Sequence, residues 1–169
     1  MHALKQAVVL EHAARYGLGR LIETGTWRGD MVASLQHSFR RIDSIELAPA
    51  LHEAAVRRFE CHGHIHVHLG ASEDVLPEIL AGLREPAIFW LDGHFSGGDT
   101  AKGATDTPIA HELDHVLEHG YDHAILIDDA RHFAGVGDYP TVEALESLVT
   151  ARRPEYAMES KDDIIRFLP

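Results

Sequence analysis

Short apolar runs ending on an acidic residue or a glycine alternate with helical patterns along the whole chain, and this alternation constrains the fold more than any other feature. Leu21-Ile22 leads to Glu23-Thr24, Ile42-Asp43-Ser44-Ile45 closes on Glu46, and His64 to Leu69 closes on Gly70. Ala87 to Leu91 closes on Asp92, and Ala124 to Ile127 on Asp128. Strands separated by helices predict βαβ units and a mostly parallel sheet. The run Ala87-Ile-Phe-Trp-Leu is apolar enough to be buried on both faces, with Trp90 in the core.

The intervening segments supply the helices. The first is expected over about Ala3 to Tyr16, stopping at Gly17 and Gly19. The second carries Met31, Leu35 and Phe39 on one face, and Pro49 opens a third with Leu51, Ala55 and Phe59 inward. Ser72 is the expected N-cap, with Glu73 and Asp74 in the first turn, of a helix bearing Val75, Leu76, Ile79, Leu80 and Leu83. Pro108 opens another helix that ends near Gly120, and a last helix runs from about Thr141 to Ala151. Tyr156 to Glu159 and Asp163 to Leu168 read as a terminal hairpin.

At 169 residues the expectation is one domain over 1–169, large enough to fold without a disulfide or a metal. The net charge of −12 argues against nucleic acid as a partner, because phosphate-binding surfaces are basic. Arg40-Arg41, Arg57-Arg58 and Arg152-Arg153 read as solvated helix ends. The single Cys61 excludes an internal disulfide and makes the cytoplasm the default. Lys5, Glu11 and His12 interrupt any signal-peptide run, and no membrane span is expected.

Glu23 to Gly29 reads Glu-Thr-Gly-Thr-Trp-Arg-Gly where a strand turns into a helix, and Glu46 ends the next strand. Glycines let a ligand approach the backbone, and a carboxylate at a strand end can accept hydrogen bonds from ribose hydroxyls. The Gly-x-Gly-x-x-Gly pattern of dinucleotide sites is absent. Glu23, Gly25, Gly29 and Glu46 together resemble the first motifs of class I S-adenosylmethionine (SAM)-dependent methyltransferases. The resemblance implies an α/β fold: a Rossmann-like doubly wound sheet of about seven strands, mostly parallel, with an antiparallel C-terminal hairpin and helices on both faces. Strand order is not legible in the sequence. The resemblance also implies that Glu23, Gly25, Thr26 and Gly29 line the methionine half of the cofactor. Glu46 and Leu47 would hold the ribose, Ala71 and Ser72 would sit beside the adenine, and Asp92 would border the site.

Asp92 and the pair Asp128-Asp129 end adjacent apolar runs, so three carboxylates face one crevice and would raise at least one pKa unless compensated. Mg2+ takes octahedral oxygen ligands and keeps several waters, so such a set would suffice for it. The pattern is similar to that of metal-dependent O-methyltransferases of the macrocin and catechol type. The resemblance implies Asp92, Asp128 and Asp129 as metal ligands and a small-molecule hydroxyl as acceptor. Asp92, His94, Lys102 and His132 are the candidate catalytic groups, each histidine or lysine lying on a loop near these carboxylates. A non-catalytic SAM-binding subunit and a dinucleotide-dependent oxidoreductase are the competing readings. Phe133 to Tyr139 could cover a crevice or a partner, a homodimer included. His62, His64, His66 and His68 alternate with Ile65, Val67 and Leu69, which reads as the polar face of an edge strand; His115, His119 and His123 read as exposed helix ends.

Overall fold

The computed structural model describes residues 2–93 and 107–169. In chain order these form α1 (His2–Tyr16), β1 (Arg20–Thr24), α2 (Asp30–Leu35), β2 (Arg41–Glu46), α3 (Pro49–Phe59), β3 (Ile65–Leu69) and α4 (Ser72–Gly82). There follow β4 (Ile88–Leu91), α5 (Ile109–Glu118), β5 (Ala124–Ile127), α6 (Val142–Arg152), β6 (Ala157–Lys161) and β7 (Ile164–Leu168). The seven strands form one sheet in the order β3-β2-β1-β4-β5-β7-β6. The first five are parallel, and β7 lies antiparallel between β5 and β6. The expected Rossmann-like, doubly wound sheet with an antiparallel terminal hairpin is therefore observed. The hairpin turn uses Asp162 and Asp163, both at positive φ, the conformation that matches the twist of the flanking strands.

Alternation along the strands divides the core in two. Leu21, Ile42, Ile88, Trp90 and Leu126 pack against α1, α2 and α3, through Val8, Val9, Val32, Leu35, Ala55 and Phe59. Ile22, Ile45, Phe89, Leu91, Ile125 and Ile127 pack against α4, α5 and α6, through Leu76, Leu113, Val116, Leu145 and Val149. Strand order reverses between β1 and β4, so the crevice at a topological switch point opens beyond the ends of these two strands.

Several local expectations change. α2 ends at Leu35, and its buried residues are Val32 and Leu35; Phe39 enters the core from beyond the helix. The hydroxyl of Ser34 donates to Asp30 O (2.8 Å), a back-bond that competes with helix continuation. Leu51 is only half-buried, whereas Ala55 and Phe59 are inward. Ser72 is not the N-cap of α4: Ala71 holds that position without a side-chain bond, and the Ser72 hydroxyl bonds Glu112 instead. Arg41 is not a solvated helix end. It opens β2 and, with Arg20 and His68, contacts the fully buried Asp43, each at 2.9 Å. Burial alone would raise the Asp43 pKa, but bonds from His68 and Arg41 and the charge of Arg20 hold it well below the usual range. β3 does lie at the sheet edge, but its histidines His66 and His68 are half-buried; His68 bonds Asp43, and His64, just before the strand, bonds Gln36 O. Among the described residues no helix is long and apolar enough to cross a membrane.

His123 is the largest departure. It is 1% exposed, its Nδ1 accepts from Ala87 N (3.0 Å), and its Nε2 lies 2.8 Å from His119 Nδ1. The Ala87 bond requires an unprotonated Nδ1, so His123 Nε2 carries the proton and donates to His119. Burial, then the neighbouring His119 and Arg153, push the His123 pKa from 6.5 down to about 3. An unfolded His123 takes up a proton near pH 6.5 while the folded one refuses it until about pH 3. Its contribution is therefore complete above pH 6.5 and lost progressively below. Thermal unfolding followed from pH 8 to pH 5 should show Tm falling below pH 6.5. The fall should be shallower in His123→Phe, which starts from a lower Tm because the buried Ala87 N–H loses its acceptor, at a cost of about 1–3 kcal/mol.

Candidate active site

Period-two alternation sets the site. Glu23, Glu46, Asp92 and Asp128 each lie two residues beyond a strand position facing the α1–α3 side, so the four carboxylates project to that side at neighbouring strand ends. The turn after β1 passes under them. Gly25 N and Thr26 N both donate to Ile45 O, at 2.9 and 3.1 Å. Gly25 has φ 83°, and a Cβ there would fall 2.3 Å from Asp92 O. Gly29 has φ 75°, and its Cβ would meet the Phe59 ring at 2.8 Å. Only glycine fits at either position.

Trp27 has positive φ and is 40% exposed, with the Arg28 guanidinium 4.7 Å from its ring centroid. Its backbone N–H donates to Glu46 Oε2 (2.7 Å), while Glu46 Oε1 accepts from Ala48 N (2.8 Å). Two main-chain amides thus hold the buried Glu46 carboxylate in place. Glu23 is buried and accepts from Ser44 Oγ (2.5 Å), which lies 2.6 Å from Thr26 Oγ1. Burial, against the bond from Ser44 and with the charges of Asp92 and Glu46 adding, pushes the Glu23 pKa up to about 8. Leu47 and Ala71 are half-buried beyond β2 and β3, and Ser72 is buried.

The metal-candidate carboxylates converge: Asp92, Asp128 and Asp129 each offer an oxygen within 4.8 Å of the others. Burial and the charge of Asp92 push the Asp128 pKa up to about 7, against a bond from Lys5. Asp129 takes a left-handed backbone conformation (φ 55°), its N–H donates to Asp128 Oδ1 (2.6 Å), and its Oδ1 accepts from Arg131 Nη1 (2.9 Å). His132 follows in a single 3-10 turn, Ala130–His132, with its ring 5.7 Å from that of Tyr139. Phe133 is buried with Tyr139 packed edge-on against it, whereas Val136 is 72% exposed. His94 and Lys102 lie outside the described residues.

Two residues at the site did not emerge from the sequence. Lys5, from α1, is buried, ion-paired with Asp128, and bonded to Asp129 Oδ1 at 3.0 Å. Burial lowers its pKa, but the two carboxylates outweigh this, so the ammonium stays charged. Its signal was present: Lys5, Val8, Val9, His12 and Ala13 form one buried helical stripe that opens with a lysine. Glu112 is buried on α5, and a Cβ at Gly93 would fall 2.9 Å from its Oε1. Burial pushes its pKa up to about 7, against bonds from Ser72 and Thr24. Its signal was a carboxylate within the apolar stripe Ile109, Leu113, Val116.

No protein-family model matches the chain, and no curated protein matches it. Solved structures do match. An O-methyltransferase from Bacillus cereus in complex with S-adenosylhomocysteine (SAH) superposes with TM-score 0.70 at 14% identity, over 98% of this chain and 81% of that one. An SAH-bound methyltransferase from Podospora anserina gives 0.65 at 16% identity, over 98% and 77%. A 23S rRNA methyltransferase gives 0.56 at 16% identity, over 96% and 67%. The chain has the fold of the class I SAM-dependent methyltransferases.

Gly25→Ala tests the tightest contact. Its Cβ meets backbone rather than a movable side chain, so the β1 turn must shift away from Asp92. The expected loss is about 1–3 kcal/mol, read as a lower Tm, together with lost affinity for any ligand of this turn.

Proposed function

We propose that the chain is a SAM-dependent methyltransferase that methylates a hydroxyl of a small molecule, with a divalent cation at Asp92, Asp128 and Asp129 positioning the acceptor. The observation that carries this reading is the adjacency of two acidic groups of residues. Glu23, Glu46 and the glycine turn lie at the ends of β1 and β2, and the convergent aspartates lie at the ends of β4 and β5. Asp92 borders both. The SAH complexes of the structural neighbours support the cofactor assignment. The net charge of −12 supports a small acceptor over nucleic acid.

The aspartate set fits a hard divalent cation: three carboxylate oxygens within 4.8 Å, one on a buried and two on half-buried residues whose charges repel. A cation bound there would supply Lewis acidity toward an acceptor oxygen. The protein's own groups do the rest. The turn through Gly25 and Thr26 brings backbone close to the methionine half of the cofactor, and Glu46, fixed by two amides, is poised to accept from ribose hydroxyls. Ala71 and Ser72 flank the adenine. Positioning of this kind accounts for roughly 7–11 kcal/mol of a barrier in well-oriented reactions. His132, one turn beyond Asp129, is the described candidate for receiving the acceptor proton.

Isothermal titration of metal-stripped protein with SAH tests the cofactor assignment, and absence of binding at millimolar SAH would overturn it. Asp128→Asn should retain SAH binding and lose turnover; a non-catalytic subunit would show no turnover in either form. Glu23 gives a sharper signature. With a pKa of about 8 it is mostly protonated at neutral pH, and a bound sulfonium favours its carboxylate. SAM binding at pH 7.5 should therefore release a proton, and affinity should weaken as pH falls below 8. Binding enthalpies measured in phosphate and in Tris should differ for the wild type and coincide for Glu23→Gln. Equal wild-type enthalpies would refute this role for Glu23.

A further inference from the structure

The N-terminal helix places a cation where the proposed site would place a metal. Lys5 Nζ is ion-paired with Asp128 Oδ1 and lies 3.0 Å from Asp129 Oδ1, and its side chain is 8% exposed. It reaches across 124 residues of sequence to do so. We propose that Lys5 is a tethered competitor for the divalent cation, so that metal binding and docking of the first turn of α1 exclude each other. This rests on the metal-assisted reading above.

Three observations carry the exchange. The first is space: the ammonium contacts two of the three carboxylates that form the candidate ligand set, and carboxylate-bound divalent ions sit at about 2.0–2.6 Å from the same oxygens. Two cations at such separations in a buried pocket repel strongly. The second is charge: at the same oxygens an ammonium brings one positive charge and a divalent ion two. Arg131 contacts the same Asp129 Oδ1 and also pairs with Asp163, so Asp129 keeps a bonded cation if Lys5 leaves.

The third is mechanical. Ala3, Leu4 and Ala7 are exposed, and the next buried side chains along α1 are Val8 and Val9. Lys5 is the one buried anchor of residues 3–7, assisted by the exposed Gln6–Ser34 bond (2.8 Å). Losing Lys5 from the aspartates would loosen this turn while Val8, Val9 and Ala13 keep the rest of the helix on the sheet. The metal would thereby open the face of the site that Lys5 covers.

The test is titration of Mn2+ followed by electron paramagnetic resonance, on the wild type and on Lys5→Met, which keeps an unbranched side chain one atom shorter and removes the charge. Lys5→Met should bind Mn2+ at least about tenfold more tightly than the wild type, and that gain should vanish in Lys5→Met/Asp128→Asn. Amide hydrogen exchange of residues 3–8 should accelerate in the wild type on adding Mn2+. Equal or weaker affinity in a folded Lys5→Met protein would overturn the proposal, as would no Mn2+ binding in either form. If Lys5→Met does not fold, the wild type decides alone: bound Mn2+ with unchanged protection of residues 3–8 overturns it. SAH titration of metal-free protein separates the two readings. Retained SAH binding with failed exchange removes only the role of Lys5, whereas lost SAH binding removes the methyltransferase reading itself.

Discussion

Concentrated negative charge at the carboxyl edge of the sheet is the constraint on which the rest of the site depends. Glu23, Glu46, Asp92, Glu112, Asp128 and Asp129 meet there, most of them buried. Six ionised carboxylates could not share so little water, and the structure resolves the conflict differently at each. Glu23 and Glu112 are pushed toward their neutral forms, Glu46 is stabilised by two main-chain amides, and Asp128 and Asp129 share the Lys5 ammonium, with Arg131 bracing Asp129. Such a concentration is costly for a fold, because each added carboxylate raises the cost of ionising its neighbours.

The geometry of the sheet makes this gathering unavoidable. Parallel strands end together, and side chains two residues apart share a face, so strand-end carboxylates in register all emerge on the α1–α3 side. The reversal of strand order between β1 and β4 then places a crevice beyond the ends of these two strands. Gly25 closes the floor by letting the β1 turn touch the Asp92 carbonyl, a contact any side chain would prevent. The face on which α1 packs is also the carboxylate face, which is why Lys5 can reach Asp129, 124 residues further along the chain.

The elements were largely legible because their signals are local. Alternating apolar runs marked the strands, and the proline and glycine punctuation marked most helix ends. The errors share a cause. Ser72, His123 and Arg41 were each read from their immediate neighbours as a cap, an exposed end and a solvated charge, and each is spent on a partner distant in sequence: Glu112, Ala87 with His119, and Asp43 with its cluster. Polar side chains satisfy the strongest available partner, and a sequence does not reveal which partner the fold will bring near.

By itself, then, the sequence determined the βαβ order, the terminal hairpin and the strand-end positions of the acidic residues, because helix and strand periodicities and turn chemistry act over a few residues. Only the tertiary structure decided the strand order, the burial of Glu112 and His123, and the pairing of Lys5 with Asp128 and Asp129. Those outcomes depend on which surfaces pack together, and the burial that follows sets the charge state of every group in the site.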